Sequence, residues 1–379
     1  MIPFVNLVEQ RNTYRKEFEE MEKSILDSGS FIGGSQVANL EKELSEYIKG
    51  HSSGNENVES VACGSGTDAL TIALMALDLR PGDEVIVPDF TFIAPAECVS
   101  FLGAIPKFAD IDRETLQISP RSVEKLISSK TKGIIAVNLF GQCAPFDELR
   151  EIATKHNLWI VEDSAQAFGA ILSTVSKDGS IKNRAACSFG DIAITSFYPT
   201  KPLGCYGDGG ALFTADPQLA ERIRMIANHG SKGHYQHDII GINSRLDAIQ
   251  AGILRVKLRH LDDELRVRQA NAAKYNEFFS AVAGIIPQKL AKGNSSTIAQ
   301  YTLLVEDRNS FIKVLQNAQV PFCIHYPATL HSQKCFARDM DIAENPAATL
   351  ACTQAISLPV CAFTNVDEII QRIQTQTKV

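Results

Sequence analysis

The run Gly133-Ile134-Ile135-Ala136-Val137 is apolar at every position. A strand with one face in water alternates apolar and polar side chains, whereas a strand in a parallel sheet is covered on both faces and reads as an unbroken apolar run. Parallel sheets carry helices on both sides. This run therefore predicts the centre of an α/β fold.

Six more short apolar runs, bounded by turn residues, lie on either side of this strand in the sequence. Helical stretches separate most of the early ones, and this alternation is typical of a mostly parallel sheet, here of about seven strands. The predicted strands cover residues 58–62, 84–88, 105–108, 133–138, 158–162, 192–197 and 211–214. The predicted helices between them cover residues 67–79, 94–102, 120–129 and 146–156.

Outside the sheet, apolar residues recur at three- and four-residue steps, which predicts helices. These helices cover residues 9–28 and 36–49, and a long one runs from about 245 to 276. A strand at 299–305 and helices at 310–317 and 345–355 follow. We expect a large α/β domain at 1–255 that includes the N-terminal helices, and a smaller α+β domain at 256–379. The polar segment 173–186 suggests a mobile excursion without an assigned function.

The composition narrows the functional classes. The chain has 379 residues, with 37 Lys and Arg against 44 Asp and Glu, so its net charge is −7. This mild acidity argues against duplex nucleic acid as a partner. No apolar run approaches the ~18 residues of a membrane span, and no secretory signal is visible. The nine cysteines are scattered without a CxxC pair. We expect reduced thiols in a cytoplasmic protein and no metal site.

The first candidate site is Cys63-Gly64-Ser65-Gly66-Thr67-Asp68, between a predicted strand and a predicted helix. Small residues let backbone amides approach an anion, and the helix N-terminus adds oriented N–H groups. A plain tight turn with a helix cap explains the motif equally well. The motif lacks the lysine of a P-loop and the third glycine of the dinucleotide fingerprint, which argues against a dinucleotide-dependent oxidoreductase. A smaller phosphate fits better.

The second candidate site is Asp163, at the carboxyl end of an apolar strand, with Gln166 three residues later. In parallel sheets, ligands bind outside the carboxyl ends of the strands. A carboxylate there serves as a metal ligand, an acid or base, or the partner of a buried cation. The alternative is an N-cap that begins a helix, in whose first turn Gln166 would lie.

The third candidate site is the turn Ser196-Phe197-Tyr198-Pro199-Thr200-Lys201-Pro202-Leu203-Gly204. A lysine between two prolines follows the end of a predicted strand. Most lysines are solvated at the surface, but a desolvated lysine has a lowered pKa and forms Schiff bases with carbonyl groups.

Together, the three sites meet the needs of pyridoxal 5′-phosphate (PLP). Its phosphate needs amides, its pyridine nitrogen needs an anion, and its aldehyde needs an amine. The sequence resembles the DegT/DnrJ/EryC1/StrS family of PLP-dependent nucleotide-sugar aminotransferases, which have fold type I, like aspartate aminotransferase. The motifs that carry the resemblance are Gly64–Ala69, Pro81–Pro88, Glu162–Gln166, Ser196–Gly210 and Asn243–Asp247.

The resemblance implies a role in cofactor binding for several residues. Lys201 would bind the cofactor covalently and act as acid and base. Asp163 would pair with the pyridine N–H, and Gln166 would contact the ring oxygen. The remaining contacts would come from Gly66, Thr67 and Ser196 to the phosphate, and from Phe92, which would stack on the ring unless it packs in the core.

The resemblance also implies a shared site in a homodimer. Asn243 would reach the phosphate in the partner subunit. Arg245, His325 and Tyr326 would contact substrate. The alternatives are an interface salt bridge for Arg245 and a structural turn for His325 and Tyr326.

The implied reaction moves an amino group from glutamate to the ketone of a UDP-linked keto-sugar. The sequence of residues 201–210 is most similar to that of one branch of the family. This branch aminates UDP-2-acetamido-2-deoxy-3-oxo-D-glucuronate for surface polysaccharide (O-antigen) biosynthesis. The alternatives are a 4-keto-6-deoxy sugar substrate and a non-catalytic regulatory protein with a PLP fold. Intact Lys201, Asp163 and Gln166 argue against the regulatory alternative.

Overall fold

The computed structural model describes residues 2–54, 57–176, 178–233, 235–336 and 344–377. The strands are β1 (Glu59–Cys63), β2 (Glu84–Pro88), β3 (Ile105–Ala109), β4 (Thr131–Val137), β5 (Trp159–Asp163), β6 (Ile171–Val175), β7 (Ile181–Ala185), β8 (Ile192–Ser196), β9 (Gly210–Thr214), β10 (Ser231–Gly233), β11 (Gln236–His237), β12 (Ile285–Pro287), β13 (Asn294–Ser295), β14 (Tyr301–Val305) and β15 (Ala355–Leu358). The helices are α1 (Leu7–Thr13), α2 (Arg15–Ser28), α3 (Gly34–Gly50), α4 (Gly66–Ala76), α5 (Ala94–Phe101), α6 (Pro120–Leu126), α7 (Phe146–His156), α8 (Pro217–Ala227), α9 (Ala248–Leu258), α10 (Leu261–Phe279), α11 (Arg308–Asn317), α12 (Pro346–Gln354) and α13 (Val366–Thr377).

The central sheet has seven strands in the order β1-β9-β8-β5-β4-β2-β3. The strands β3, β2, β4, β5 and β8 pair in parallel. β9 is antiparallel to both β8 and β1, so β1 runs in the same direction as the other five. The predicted mostly parallel α/β sheet is therefore confirmed, and its strands begin and end within two residues of the predicted bounds.

β4 lies near the middle of the sheet and is covered on both faces. Its Ile134 and Ala136 pack in one hydrophobic cluster, whereas Ile135 and Val137 pack in another on the opposite face. All four side chains are at most 5% exposed. The burial predicted for the apolar run at 133–137 is confirmed.

The carboxyl ends of the parallel strands meet at one edge of the sheet, because parallel strands all point the same way. The loops after β1, β2, β5 and β8 therefore emerge together. These loops carry the predicted site residues Gly66, Phe92, Asp163 and Lys201. The topology places the three candidate motifs on a common edge, where ligands bind in sheets of this kind.

Two long helices predicted from apolar spacing are each interrupted. The helix predicted at 9–28 is divided into α1 and α2 at Tyr14, and the helix predicted to start near 245 is divided into α9 and α10 at residues 259–260. The rings of Tyr14 and His260 stack on each other, with centroids 4.0 Å apart and planes 5° from parallel. The carboxylate of Glu17 accepts a 2.7 Å hydrogen bond from Nε2 of His260. The two helix breaks therefore lie against each other in the fold. The spacing of apolar residues along the sequence cannot reveal such a contact.

Other differences lie outside the central sheet. The segment 173–186, expected to be a mobile excursion, forms most of the antiparallel pair β6 and β7, to which β13 adds a third strand. The helix predicted at 120–129 ends at Leu126. Near the C-terminus, β14, α11 and α12 match predicted elements, whereas β12, β15 and α13 were missed.

The predicted boundary near residue 255 falls in a helical region that links two cores. Leu261 and Leu265 at the start of α10 pack with the N-terminal helices and the sheet, whereas Tyr275 and Phe279 at its end pack with the C-terminal strands and helices. One helix therefore contributes to both cores. The division into residues 1–255 and 256–379 stays a prediction.

Among the described residues, no helix is both long enough and apolar enough to cross a lipid bilayer. The same part of the chain holds no group of three or more potential metal ligands. All nine cysteines are free thiols.

Gly133 lies directly beneath the indole of Trp159, which is the only tryptophan of the chain. A Cβ at position 133 would collide with this ring. We expect Gly133→Ala to displace the indole, to shift its fluorescence emission, and to lower the free energy of unfolding by about 1–3 kcal/mol. Both quantities are measured by chemical denaturation followed by tryptophan fluorescence.

The matched control is Gly50→Ala at the end of α3, where an added Cβ meets nothing within 4 Å. It should change the free energy of unfolding by less than about 0.5 kcal/mol and leave the emission unchanged. Native Gly133→Ala protein with wild-type emission would contradict the packing described here.

Candidate active site

The loop between β1 and α4 forms a cradle of backbone amides. The side chain of Ser65 caps α4 by accepting a 3.0 Å hydrogen bond from the Asp68 N–H. An added Cβ at Gly66 would lie 2.6 Å from Ser196 Cβ, and one at Gly210 would collide with the Ser65 carbonyl oxygen. The loop can lie this close to β8 and β9 only because these positions are glycine. The first-turn amides of α4, with Ser196 beside them, suit a phosphate.

Ser244 ties this cradle to a distant part of the chain. Its hydroxyl accepts a 2.9 Å hydrogen bond from the Gly64 N–H and donates a 2.7 Å bond to the Asp68 carboxylate. The side chain is 2% exposed, whereas its neighbours Asn243 and Arg245 are exposed. Sequence reasoning did not find this role, since a hydroxyl 180 residues from the loop gives no signal in the sequence.

Asp163 ends β5 and is 5% exposed. The pKa of this carboxyl is raised to about 6, chiefly by burial and to a small extent by the charge of Glu162. The hydrogen bond from the Ala165 N–H and the charge of Lys201 oppose this rise. The only hydrogen bond to the Asp163 carboxylate from a described residue comes from the Ala165 N–H, at 2.9 Å. The N-cap alternative is wrong, because residues 165–169 form turns and no helix begins there. Gln166 therefore lies in a turn.

Lys201 lies in a tight turn after β8. Its backbone N–H donates a 2.9 Å hydrogen bond to the Tyr198 carbonyl, and Gly204 approaches the Pro199 carbonyl too closely for a side chain. Desolvation lowers the pKa of the Lys201 amine, and the negative charge of Asp163 partly offsets this. The two side chains therefore lie within electrostatic range of each other, as the cofactor hypothesis requires.

The C-terminal part of the chain reaches the same edge through His325 and Tyr326. The Gln166 amide accepts a 2.6 Å hydrogen bond from the Phe140 N–H and donates a 3.3 Å bond to the Tyr326 hydroxyl. Burial and the charge of Lys201 lower the pKa of His325 to about 4. Gln166, His325 and Tyr326 are thus joined by direct contacts. Lys201 lies within electrostatic range of both His325 and Asp163.

Four of the predicted residues face solvent instead. Thr67, Asn243 and Arg245 are exposed, and the ring of Phe92 is 54% exposed. Core packing, the alternative for Phe92, is therefore wrong. Arg245 forms no salt bridge with any described residue of its own chain. Its guanidinium is free to contact a ligand or a partner subunit.

Glu162 was missed by sequence reasoning. Its carboxylate is fully buried and accepts hydrogen bonds of 2.7–2.9 Å. The donors are the Asn138 amide, the Ser164 hydroxyl and the backbone N–H groups of Cys187 and Phe189. Glu162 thus holds the end of β5 in place, on the face of the sheet opposite to that of Asp163. Its only sequence signal is a charged residue in an apolar strand.

Comparisons with known proteins show which family the chain belongs to. Residues 12–376 match the model of the DegT/DnrJ/EryC1/StrS aminotransferase family. The chain belongs to this family. It is a PLP-dependent nucleotide-sugar aminotransferase with the fold of that class.

Individual relatives match over nearly the whole chain. UDP-2-acetamido-2-deoxy-3-oxo-D-glucuronate aminotransferase of Pseudomonas aeruginosa is 41% identical, with 95% of each chain covered. A pleiotropic regulatory protein of Geobacillus stearothermophilus is 37% identical, with 95% of this chain and 93% of the relative covered. The crystal structure of NtdA from Bacillus subtilis with bound cofactor PMP has a TM-score of 0.86 at 26% identity, and covers 100% of this chain and 85% of the other.

The described residues fit PLP. The buried carboxylate of Asp163 has room for a further cationic hydrogen-bond donor, such as a protonated pyridine nitrogen. The desolvated amine of Lys201 suits an aldehyde. The cradle at 64–67, closed against Ser196, suits a phosphate. The individual roles of these residues stay proposals.

The raised pKa of Asp163 makes a prediction about the apoenzyme. The carboxyl has an ordinary pKa of 3.8, as in the unfolded chain, but a pKa of about 6 in the fold. Its charged form therefore destabilises the folded protein above about pH 6, and the effect disappears as the pH falls towards 4. We expect Asp163→Asn to stabilise the apoenzyme by about 1–3 kcal/mol at pH 7.5 and by nearly nothing at pH 4.

Urea unfolding of apoenzyme at both pH values measures this difference. The control is Asp27→Asn, whose side chain is 66% exposed and pairs only with Lys23 in the described structure. It should change stability little at either pH. A destabilised Asp163→Asn apoenzyme at pH 7.5 would show that the carboxylate is not strained by burial.

Proposed function

We propose that the chain transfers an amino group from glutamate to the 3-keto group of UDP-2-acetamido-2-deoxy-3-oxo-D-glucuronate, in the biosynthesis of a surface polysaccharide. The observation that carries this proposal is the 41% identity to the Pseudomonas aeruginosa aminotransferase over 95% of both chains. The exposed and unpaired Arg245 next to the cradle supports it, since the uronate carries a carboxylate.

In this proposal, each residue of the site has a defined task. Lys201 would hold the cofactor covalently until the amino group of the donor displaces it. The freed amine would then take the α-proton of the donor and deliver it to the cofactor, and in the second half-reaction it would move a proton from the cofactor to the sugar carbon. Desolvation favours the uncharged amine that this step needs. The carboxylate of Asp163 holds the proton on the pyridine nitrogen. PLP, when bound, supplies the electron-accepting ring.

The remaining residues bind and orient. The first-turn amides of α4, with the hydroxyls of Thr67 and Ser196, hold the phosphate. Gln166 and Phe92 position the ring from its edge and its face. The buried amide of Gln166 is fixed by Phe140 and Tyr326, so it cannot turn away.

We also propose that the site is shared in a homodimer. Asn243 and Arg245 are exposed beside a patch of exposed apolar side chains: Phe31 is 46% exposed, Ile32 53% and Ile240 84%. The backbone of Phe31 and Ile32 pairs with that of Asp247 and Ala248, so this patch adjoins the Asn243–Arg245 loop. Exposed apolar side chains beside polar groups that have no partner among the described residues are typical of an interface. A second copy would cover it and receive Asn243 and Arg245.

The role of Lys201 predicts that Lys201→Ala protein has no detectable turnover and loses the absorbance band of the covalently bound cofactor near the edge of the visible range. Absorbance spectra of purified protein, with and without glutamate, measure both. The control is Lys257→Met, because Lys257 is a buried lysine outside the candidate site, and desolvation lowers its pKa to about 8. This variant should keep the band. A wild-type band in Lys201→Ala would refute the assignment.

The proposed substrate predicts a clear preference for the 3-keto uronate over a 4-keto-6-deoxy sugar nucleotide, with glutamate as donor. Arg245→Lys should raise the KM for the uronate roughly tenfold or more, because a lysine cannot pair with a carboxylate through two parallel hydrogen bonds. Initial rates with both sugars measure this.

Arg266→Lys serves as the control, since this side chain is 73% exposed on α10. It should leave the KM unchanged. Preference for the 4-keto sugar, together with a normal KM in Arg245→Lys, would favour the 4-keto-6-deoxy alternative.

A further inference from the structure

The N-terminal segment reaches the candidate site through Phe4. The ring of Phe4 meets the imidazole of His325 edge-on, with centroids 6.3 Å apart and planes at 64°. Asn6 holds this segment in place, because its backbone N–H bonds to Cys361 Sγ and its side-chain amide donates to the Phe363 carbonyl, both at 3.3 Å. The contact therefore joins residues more than 300 positions apart in the sequence.

Three aromatic rings surround His325: Phe4, Phe140 and Tyr326, at centroid distances of 6.3, 6.3 and 5.7 Å. Phe140 is 1% exposed and belongs to the core, whereas Phe4 is partly exposed. Phe4 thus forms the solvent-side wall of the imidazole. Its removal would admit water without disturbing the core ring.

The two nitrogens of His325 have different surroundings. Nδ1 shares a 3.1 Å hydrogen bond with Ser357 Oγ, which is itself bonded to Thr302 Oγ1 at 3.0 Å. Nε2 has no hydrogen-bond partner among the described residues. A neutral imidazole held in this way leaves Nε2 available to a ligand. Nε2 donates or accepts a hydrogen bond according to the tautomer that the Ser357 bond selects.

We propose that Phe4 is a positioning residue, which keeps water from the solvent side of His325 and so holds the imidazole neutral, with Nδ1 on Ser357 and Nε2 free for a ligand. That this ligand is the sugar nucleotide rests on the proposed function. That Phe4 covers the imidazole is independent of the proposed function.

The charges near His325 are few. Lys201, after β8, is the charged group that acts on it. Tyr326 is a neutral phenol whose pKa burial raises, and Ser357 and Thr302 on the C-terminal strands do not titrate. Phe4 and Phe140 carry no charge. Access of water past Phe4 is therefore the variable that the N-terminal segment controls.

The experiment is an NMR titration of the His325 ring in 13C-histidine-labelled holoenzyme without sugar, assigned with His325→Gln. The wild-type pKa should lie near 4. In Phe4→Ala it should rise towards the ordinary value of about 6.5, because water reaches the ring. Phe4→Leu keeps an apolar cover and should stay near the wild type. Val8→Ala, at a 71% exposed position of α1, is the control for changes near the N-terminus.

Activity gives a second readout. A histidine with a pKa of about 6.5 is about nine-tenths protonated at pH 5.5. The ratio of the aminotransferase rate at pH 5.5 to that at pH 8 should therefore be about tenfold lower in Phe4→Ala than in the wild type. Phe4→Leu should have the wild-type ratio. Asn6→Ala keeps Phe4 and the backbone bond to Cys361 but removes the side-chain bond to Phe363 and the cap of α1. It loosens the segment, so it should shift the titration part of the way in the same direction if Phe4→Ala does not fold.

Folded Phe4→Ala and Asn6→Ala proteins with a His325 pKa still near 4 would overturn the proposal, and so would Phe4→Leu shifting as far as Phe4→Ala. The proposed function fails separately. If the titration behaves as expected but no keto-sugar is aminated, the covering role of Phe4 stands and the substrate assignment falls.

Discussion

The site depends on one electrostatic arrangement, a buried acid and a partly desolvated amine at the same edge of a parallel sheet. Burial destabilises the charged form of Asp163 and that of Lys201, and each charge partly relieves the other. A fold tolerates such a pair only where the surrounding backbone is rigid, because water would otherwise enter and restore ordinary pKa values. A buried carboxylate with hydrogen-bonding capacity to spare is suited to a cationic ring nitrogen, and a desolvated amine is suited to an aldehyde.

The rigidity comes from contacts on the other side of the same strands. Glu162 alternates with Asp163 along β5, so it points to the opposite face, where its donors fix the strand end. The cradle is held similarly by Ser244, which bonds to both Gly64 and Asp68. In both cases, a residue that touches no proposed ligand sets the position of one that does.

The C-terminal part of the chain and the N-terminus complete the site from the other direction. Tyr326 bonds to Gln166, and His325 bonds to Ser357 beneath the ring of Phe4. The environment of the His325 imidazole is therefore built from segments that are far apart in the sequence. The exposed side chains of Asn243 and Arg245 have no such partners among the described residues of their own chain, which agrees with the proposal that a second copy completes the site.

The sequence by itself determined the parallel sheet, the edge at which the candidate site lies and the residues that we propose as its reactive groups. An unbroken apolar run such as 133–137 is stable only when both faces are covered, and a phosphate cradle, a strand-end acid and a lysine turn are local patterns that survive in the sequence. The tertiary structure alone decided the breaks at Tyr14 and His260, whose rings stack across 246 positions. It also decided the turn in place of a helix after Asp163, and the contacts that Glu162, Ser244 and Phe4 make. Each of these depends on a contact between distant segments, and such a contact leaves no periodicity or spacing from which it could be predicted.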